Sequence, residues 1–267
     1  MYVLLLKSLS ETASGPKDDP YVQVLNKAGF EADLIETLDF IYHTDRLAAY
    51  QSWRESHGAI VFTSPRGVNA FTKAGLSGRS TDICFVVGPS TDALAKKAGF
   101  SPKGSECGDG ETLAKFILTK HASAVTKPIF FPTGEQHRDE LPRYLEAKGM
   151  CMFLPVINRP GMRVNTVIVY SAQEKEDMKE KLRLNLCEGH PIPDCVVFFS
   201  PSGVSLTETI LKSEVKPHRP KIRLVAMGRS TEARLKEMEL TVSGVAKSPK
   251  PDSLLAVIKT LSSQSVA

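Results

Sequence analysis

A repeat at half the chain length constrains this 267-residue sequence more than any other feature. Phe62-Thr63-Ser64-Pro65-Arg66-Gly67-Val68 returns as Phe198-Phe199-Ser200-Pro201-Ser202-Gly203-Val204. Val87-Gly88-Pro89-Ser90-Thr91-Asp92-Ala93 returns as Met227-Gly228-Arg229-Ser230-Thr231-Glu232-Ala233. Ser64 and Ser200 lie 136 positions apart, Gly88 and Gly228 140. Short periods make solenoids, whereas a shift of half the chain marks a duplicated domain. The length suits two domains of modest size.

The repeats sit in a strand–helix alternation. Val3–Leu6, Ile60–Phe62, Phe85–Val87, Ile129–Phe131, Val196–Phe199 and Leu224–Met227 are short, β-rich and bounded by polar, Gly or Pro residues. They read as parallel strands buried on both faces. Helices are expected over Tyr21–Ala28, Val68–Ala74, Asp92–Ala98, Glu111–Leu118, Glu140–Lys148 and Thr231–Met238. Gly29, Gly75, Gly99 and Gly149 stand where a helix C′ cap needs a left-handed residue. The predicted class is α/β, with two flavodoxin- or Rossmann-like parallel-sheet domains joined by a double crossover hinge.

Pro128–Gly134 with its following helix mirrors the N-terminal strand and helix, yet it follows its Phe-x-Ser-Pro partner while the N-terminal unit precedes everything. The simplest solution makes residues 1–35 plus 175–267 one discontinuous domain and inserts 40–167 as the second. Residues 36–39 and 168–174 then connect them, with a cleft expected between the domains. Leu154–Asn165, broken by two prolines and a glycine, reads as an irregular loop. Glu174–Lys181, dense in both charges, reads as the solvated face of a helix.

A net charge of +4 with no Lys/Arg run is too weak to argue for a nucleic-acid partner and slightly favours a polyanionic small molecule. Cys84, Cys107, Cys151, Cys187 and Cys195 are odd in number and form no C-x-x-C pair, so a disulfide framework is not expected and a reducing compartment fits. The scattered histidines predict no metal site. No apolar stretch approaches a bilayer span, and Met1–Lys7 is too short for a signal segment.

Ser-Pro-x-Gly after a strand has a direct physical reading. Ser64 and Ser200 can cap free backbone N–H groups, and proline at the first helical position gives up a donor that had no partner. The same place, at the positive end of a helix dipole, suits an anion. The Gly-x-Ser-Thr turns at Gly88–Thr91 and Gly228–Thr231 add a second such place to each copy. All four fall at the carboxyl ends of parallel strands, the usual ligand edge of an open α/β sheet. Ordinary capping also explains any one turn; the matched pairs favour ligand binding. Asp18-Asp19 before Pro20 reads as a helix cap rather than as an acid or metal site. Tyr170 ends the run Val167–Tyr170 at the proposed crossing, where its phenol can donate a hydrogen bond into the cleft; a core tyrosine satisfied locally is the alternative. There is no P-loop, no full G-x-G-x-x-G and no G-x-S-x-G elbow.

Val3–Lys7, Ile60–Arg66, Val86–Gly88, Phe198–Gly203 and Ala226–Gly228, in this order and spacing, resemble the uroporphyrinogen-III synthases, the animal enzymes especially. The resemblance implies two α/β domains around a cleft and a lyase of heme biosynthesis. It implies hydroxymethylbilane, a linear tetrapyrrole with eight carboxylates, as the substrate, closed to uroporphyrinogen III with inversion of ring D and loss of water. It implies no cofactor and no metal. Tyr170 matches the family tyrosine proposed to help the hydroxyl leave. Ser64, Thr91, Ser200 and Thr231 match hydroxyl positions of the family cleft, with Ser90, Ser202 and Ser230 as further candidates. A cytosolic monomer with no membrane or nucleic-acid partner is expected. The alternative is a two-domain cleft protein that binds an acidic small molecule without transforming it.

Overall fold

The structure is a computed structural model that describes residues 1–10, 13–137, 139–147, 162–188, 191–215 and 221–264. In chain order the strands are β1 (Tyr2–Leu6), β2 (Glu31–Ile35), β3 (Leu38–Tyr42), β4 (Ala59–Phe62), β5 (Cys84–Val86), β6 (Ile129–Gly134), β7 (Val164–Glu174), β8 (Cys195–Phe198), β9 (Arg223–Met227) and β10 (Val242–Ala246). The chain divides into two compact units. Unit 1 is Met1–Asp39 with Gln173–Ala267, and unit 2 is Phe40–Ala172.

Unit 1 is built on a sheet of order β10-β9-β8-β1-β2, parallel at every pairing. β1 is buried along its whole length because both faces are covered. Leu4 and Leu6 point with Val196 and Phe198 toward the helices Met178–Arg183, Pro201–Leu206 and Arg229–Glu237. Val3 and Leu5 point with Cys195 and Val197 toward Pro20–Lys27 and Pro251–Ser263. The period of two thus feeds two cores, and each large apolar side chain taken from water contributes about 1.5–3 kcal/mol.

Unit 2 has the order β3-β7-β6-β4-β5, with β7, β6, β4 and β5 parallel. Ile60 and Phe62 pack on Pro65–Lys73 and Pro89–Lys97; Ala59 and Val61 pack on Gly110–Lys120 and Glu140–Glu146. Laid over unit 1, β5-β4-β6-β7 reproduces β9-β8-β1-β2, and a lone parallel bridge from Phe85 to Lys103 stands where β10 stands. Gly29, Gly75 and Gly99 adopt φ of +86°, +78° and +100°, as C′ caps require.

The segments read as connections belong to β3 and β7, which are neighbours in the sheet. His43 N–H donates to the Val169 carbonyl and Lys175 N–H to the Thr37 carbonyl. From Thr37 to His43 the first strand advances while its partner retreats equally, so the two run antiparallel.

Two expectations need correction. Glu174 ends a strand, and the helix begins only at Met178, with Met178 and Leu182 wholly buried. Charge density hid this inward stripe. The segment Leu154–Asn165 lies outside the described residues up to Gly161, and its last two residues open β7; Gly149, Lys148 and Cys151 also lie outside them. No helix among the described residues is long and apolar enough to cross a membrane.

Candidate active site

The chain winds outward from one strand pair in each unit. β1 leads to β2 on one side and β8 to β9 on the other; β6 leads to β7 and β4 to β5. Ligands of open α/β sheets bind at the carboxyl ends of such switch points. The four turns stand there.

In unit 2, Ser64 has extended backbone and its Oγ accepts from Arg66 N–H at 3.2 Å, capping Pro65–Lys73. Gly67 must be glycine, because a Cβ would come within 2.8 Å of the Pro132 carbonyl oxygen. Beside it, Gly88 at φ +80° opens Pro89–Lys97 with no side-chain cap. Asp92 N–H is the first in that helix to reach a carbonyl, that of Gly88. Ser90 is exposed and Thr91 buried.

Unit 1 repeats this. Ser200 Oγ accepts from Gly203 N–H at 3.1 Å and lies 3.0 Å from Ser202 Oγ, which is exposed. Gly228 at φ +83° opens Arg229–Glu237 with no side-chain cap. Ser230 is exposed; Thr231 is 1% exposed, and its Oγ1 has no hydrogen-bond partner among the described residues. Buried hydroxyls are satisfied in most structures. Thr231 lies in the first turn of a helix whose start has no side-chain cap, where the backbone N–H groups lack intrahelical partners.

Tyr170 is placed by a register shift. Thr133 pairs with Ile168 but Gly134 with Tyr170, leaving Val169 over, and such bulges re-aim a side chain. The phenol lies across Gly134, where a Cβ would stand 2.5 Å from ring carbons and 2.8 Å from the hydroxyl. Phe40 meets the ring edge-on at 6.2 Å and Tyr42 at 6.5 Å. The Arg66 guanidinium lies 3.7 Å over Phe40, linking Tyr170 to the Ser64 turn. The Tyr170 hydroxyl makes no hydrogen bond among the described residues.

Each unit therefore gathers its own candidates on one edge: Ser64, Ser90, Thr91 and Tyr170 in unit 2, and Ser200, Ser202, Ser230 and Thr231 in unit 1. The sequence reading missed Arg66 and Phe40, and missed a buried ion pair of Lys7 and Asp19 in unit 1. Lys7 follows a fully apolar strand, a signal that was available. A hollow of about 520 Å³ in unit 1 lies at the opposite sheet edge, against Met1, Asp194 and Arg223, where β1, β8 and β9 begin, and not near the turns.

Fold and turns define a duplicated, doubly wound α/β protein with hydroxyl-rich helix starts at the carboxyl edge of each copy. The family model described as "Uroporphyrinogen-III synthase HemD" matches residues 19–256, and the chain belongs to that family. A uroporphyrinogen-III synthase of Schizosaccharomyces pombe is 28% identical over 268 residues, covering 96% of this chain and 95% of its own. That of Saccharomyces cerevisiae is 26% identical over 217 residues, covering 75% and 74%. The crystal structure of a mutant uroporphyrinogen III synthase from the extremely thermophilic bacterium Thermus thermophilus shares the fold, with a TM-score of 0.52 at 14% identity over 98% of this chain and 99% of that one. The chain is an enzyme of tetrapyrrole biosynthesis that cyclises hydroxymethylbilane to uroporphyrinogen III, a lyase reaction.

Proposed function

We propose that the strand-to-helix turns of both units hold the carboxylates of hydroxymethylbilane and that Tyr170 assists the departure of its terminal hydroxyl. The observation that supports this most is the open, buried hydroxyl of Thr231 beneath the uncapped Gly228 turn. A carboxylate seated there accepts the first-turn N–H groups and the Thr231 hydrogen bond together. Thr91 serves the Gly88 turn in the same way. Ser64 and Ser200 keep their caps and orient the neighbouring N–H groups, while the exposed Ser90, Ser202 and Ser230 offer hydroxyls from the rim. Each helix end contributes about 0.3–1 kcal/mol from its dipole.

The Tyr170 O–H, without a hydrogen-bond partner among the described residues, donates to the leaving hydroxyl, which departs with a proton as water. The resulting azafulvene is attacked by the substituted α-carbon of ring D. The spiro intermediate opens and recloses with ring D reversed. Ring D returns one proton, so the net change is loss of one water. Positioning supplies most of the acceleration, because the unguided closure gives the symmetric isomer. The enzyme acts as a cytosolic monomer, without cofactor, membrane or nucleic acid.

Product analysis with hydroxymethylbilane tests the reading. The type III isomer should dominate; type I alone, at the blank rate, would leave only a binder of acidic ligands. Tyr170→Phe should lower turnover by about a hundredfold, with the far-UV spectrum unchanged. Turnover equal to the parent's removes Tyr170 from the chemistry.

A further inference from the structure

The most deeply buried ion pair among the described residues lies under the unit 1 switch point. Lys7 is the first residue past β1 and is 9% exposed; Asp19 is 0% exposed. Lys7 Nζ donates to Asp19 Oδ2 at 2.5 Å, and Ser10 Oγ donates to the same oxygen at 3.0 Å. Asp19 Oδ1 accepts from Tyr21 N–H at 3.0 Å and so caps the helix Pro20–Lys27. The ammonium also lies 5.5 Å from the Tyr21 ring centre and 5.6 Å from that of Phe199, and these rings meet edge-on at 4.8 Å. Burial first, then the Asp19 charge, pushes the Tyr21 phenol up to about 12.

Phe199 is the residue before the Ser200 cap, and Leu6 is paired in register with Phe198. One ammonium therefore touches the end of β1, the loop after it, the start of the next helix and the residue that leads into the Ser-Pro turn. Two charges taken from water are costly, and an apolar pair of similar size serves stability as well or better. Stability alone does not account for the pair at this place. A charge locked against Asp19 is also a poor partner for a substrate carboxylate, because the pair is neutral as a whole.

We infer that Lys7 and Asp19 are positioning residues for the reaction: through Phe199 they fix the Ser200–Gly203 turn in the orientation that receives a substrate carboxylate. This rests on the reading of that turn as a substrate site. The pair acts on the bound substrate and not on the bond-breaking step, so its loss raises KM and spares kcat.

The test replaces both charges at once. Lys7→Met/Asp19→Asn leaves no unpaired charge, and asparagine keeps the helix cap and an acceptor for Ser10. Its melting temperature, its kcat and its KM for hydroxymethylbilane are compared with those of the parent and of Ser200→Ala. The expected result is a folded double variant with KM raised about tenfold or more and kcat within about threefold, since small misplacements weaken bound geometry strongly. A folded double variant with parental KM overturns the proposal. So does one whose loss falls in kcat alone. Ser200→Ala reports on the underlying reading. If it raises KM while the double variant does not, the pair fails and the turn stands. If the double variant raises KM while Ser200→Ala does not, the pair acts elsewhere and the proposal fails with the reading. Should the double variant not fold, the single Asp19→Asn, with the cap and Lys7 both kept, is held to the same KM criterion.

Discussion

The two units share a scaffold and differ where it matters most. At the end of β8 and of β4 each places a capped Ser-Pro turn, with nearly the same backbone at Ser200 (φ −155°) and Ser64 (φ −151°). At the neighbouring strand ends they part. In unit 1 the first residue past β1 is Lys7, locked by Asp19 beside two aromatic rings. Unit 2 ends β6 in Gly134, and the space a side chain would take is filled by Tyr170, backed by Phe40 and Tyr42. Duplication supplied two similar anion-ready edges. One switch point is ionic and the other aromatic, with a phenol that makes no hydrogen bond among the described residues. The two copies thus share the capped turn and differ in what stands beside it.

The comparison can be broken at its ionic side with the largest effect. Lys7→Met leaves Asp19 buried without its counter-charge and should cost about 3–5 kcal/mol in urea unfolding; a loss under about 1 kcal/mol would mean that solvent reaches the carboxylate. On the aromatic side, Gly134→Ala puts a methyl group into the Tyr170 ring. Overpacking of this kind costs about 1–3 kcal/mol, and turnover should fall alongside because the phenol moves. Alanine tolerated with full activity would show that the ring is free to swing.

A smaller difference separates the opposite edges. Ahead of β4, His57 is held neutral: burial lowers its pKa, and the Trp53 carbonyl, 3.1 Å from Nδ1, only partly opposes this. Its Nε2 lies 3.1 Å from Asn165 Nδ2 and accepts from it in this tautomer. The folded pKa lies below the unfolded one, so the contribution is full above about pH 6.5 and is lost as pH falls from there toward the folded value. The slope is at most about 1.4 kcal/mol per pH unit. Hydrogen exchange between about pH 7 and 5 should show the amides around β4 losing protection, and His57→Gln should remove that pH dependence. An unchanged pH dependence in the variant would contradict the assignment. Smallest of all, Ser64→Ala should cost about 1 kcal/mol, matched within error by Ser200→Ala. A clear inequality in urea midpoints would mean that the two turns are less alike than their backbones.

Much of this is readable in the chain. Val3–Leu6, Ile60–Phe62 and Val196–Phe199 are strands within a residue or two of expectation, because a run buried on both faces needs no partner to announce itself. The Ser-Pro turns and the C′ glycines are local geometry written in local residue types. β2, β3 and β10 escape such a reading, since Glu31–Ile35 and Leu38–Tyr42 mix polar and apolar residues and Val242–Ala246 carries a glycine. Thr91 and Thr231 stand next to exposed serines in the chain, yet both are buried, because one step along a helix start turns a side chain by about 100°.

From the sequence alone came the duplication, the α/β alternation and the four hydroxyl turns, all of which are periodic or confined to neighbouring residues. Tertiary structure alone decided that Lys7 meets Asp19 over Phe199, that Gly134 makes room for Tyr170, and that one extra residue in β7 aims the phenol. Those depend on register between strands distant in the chain, and a one-residue change in register is invisible to any local pattern.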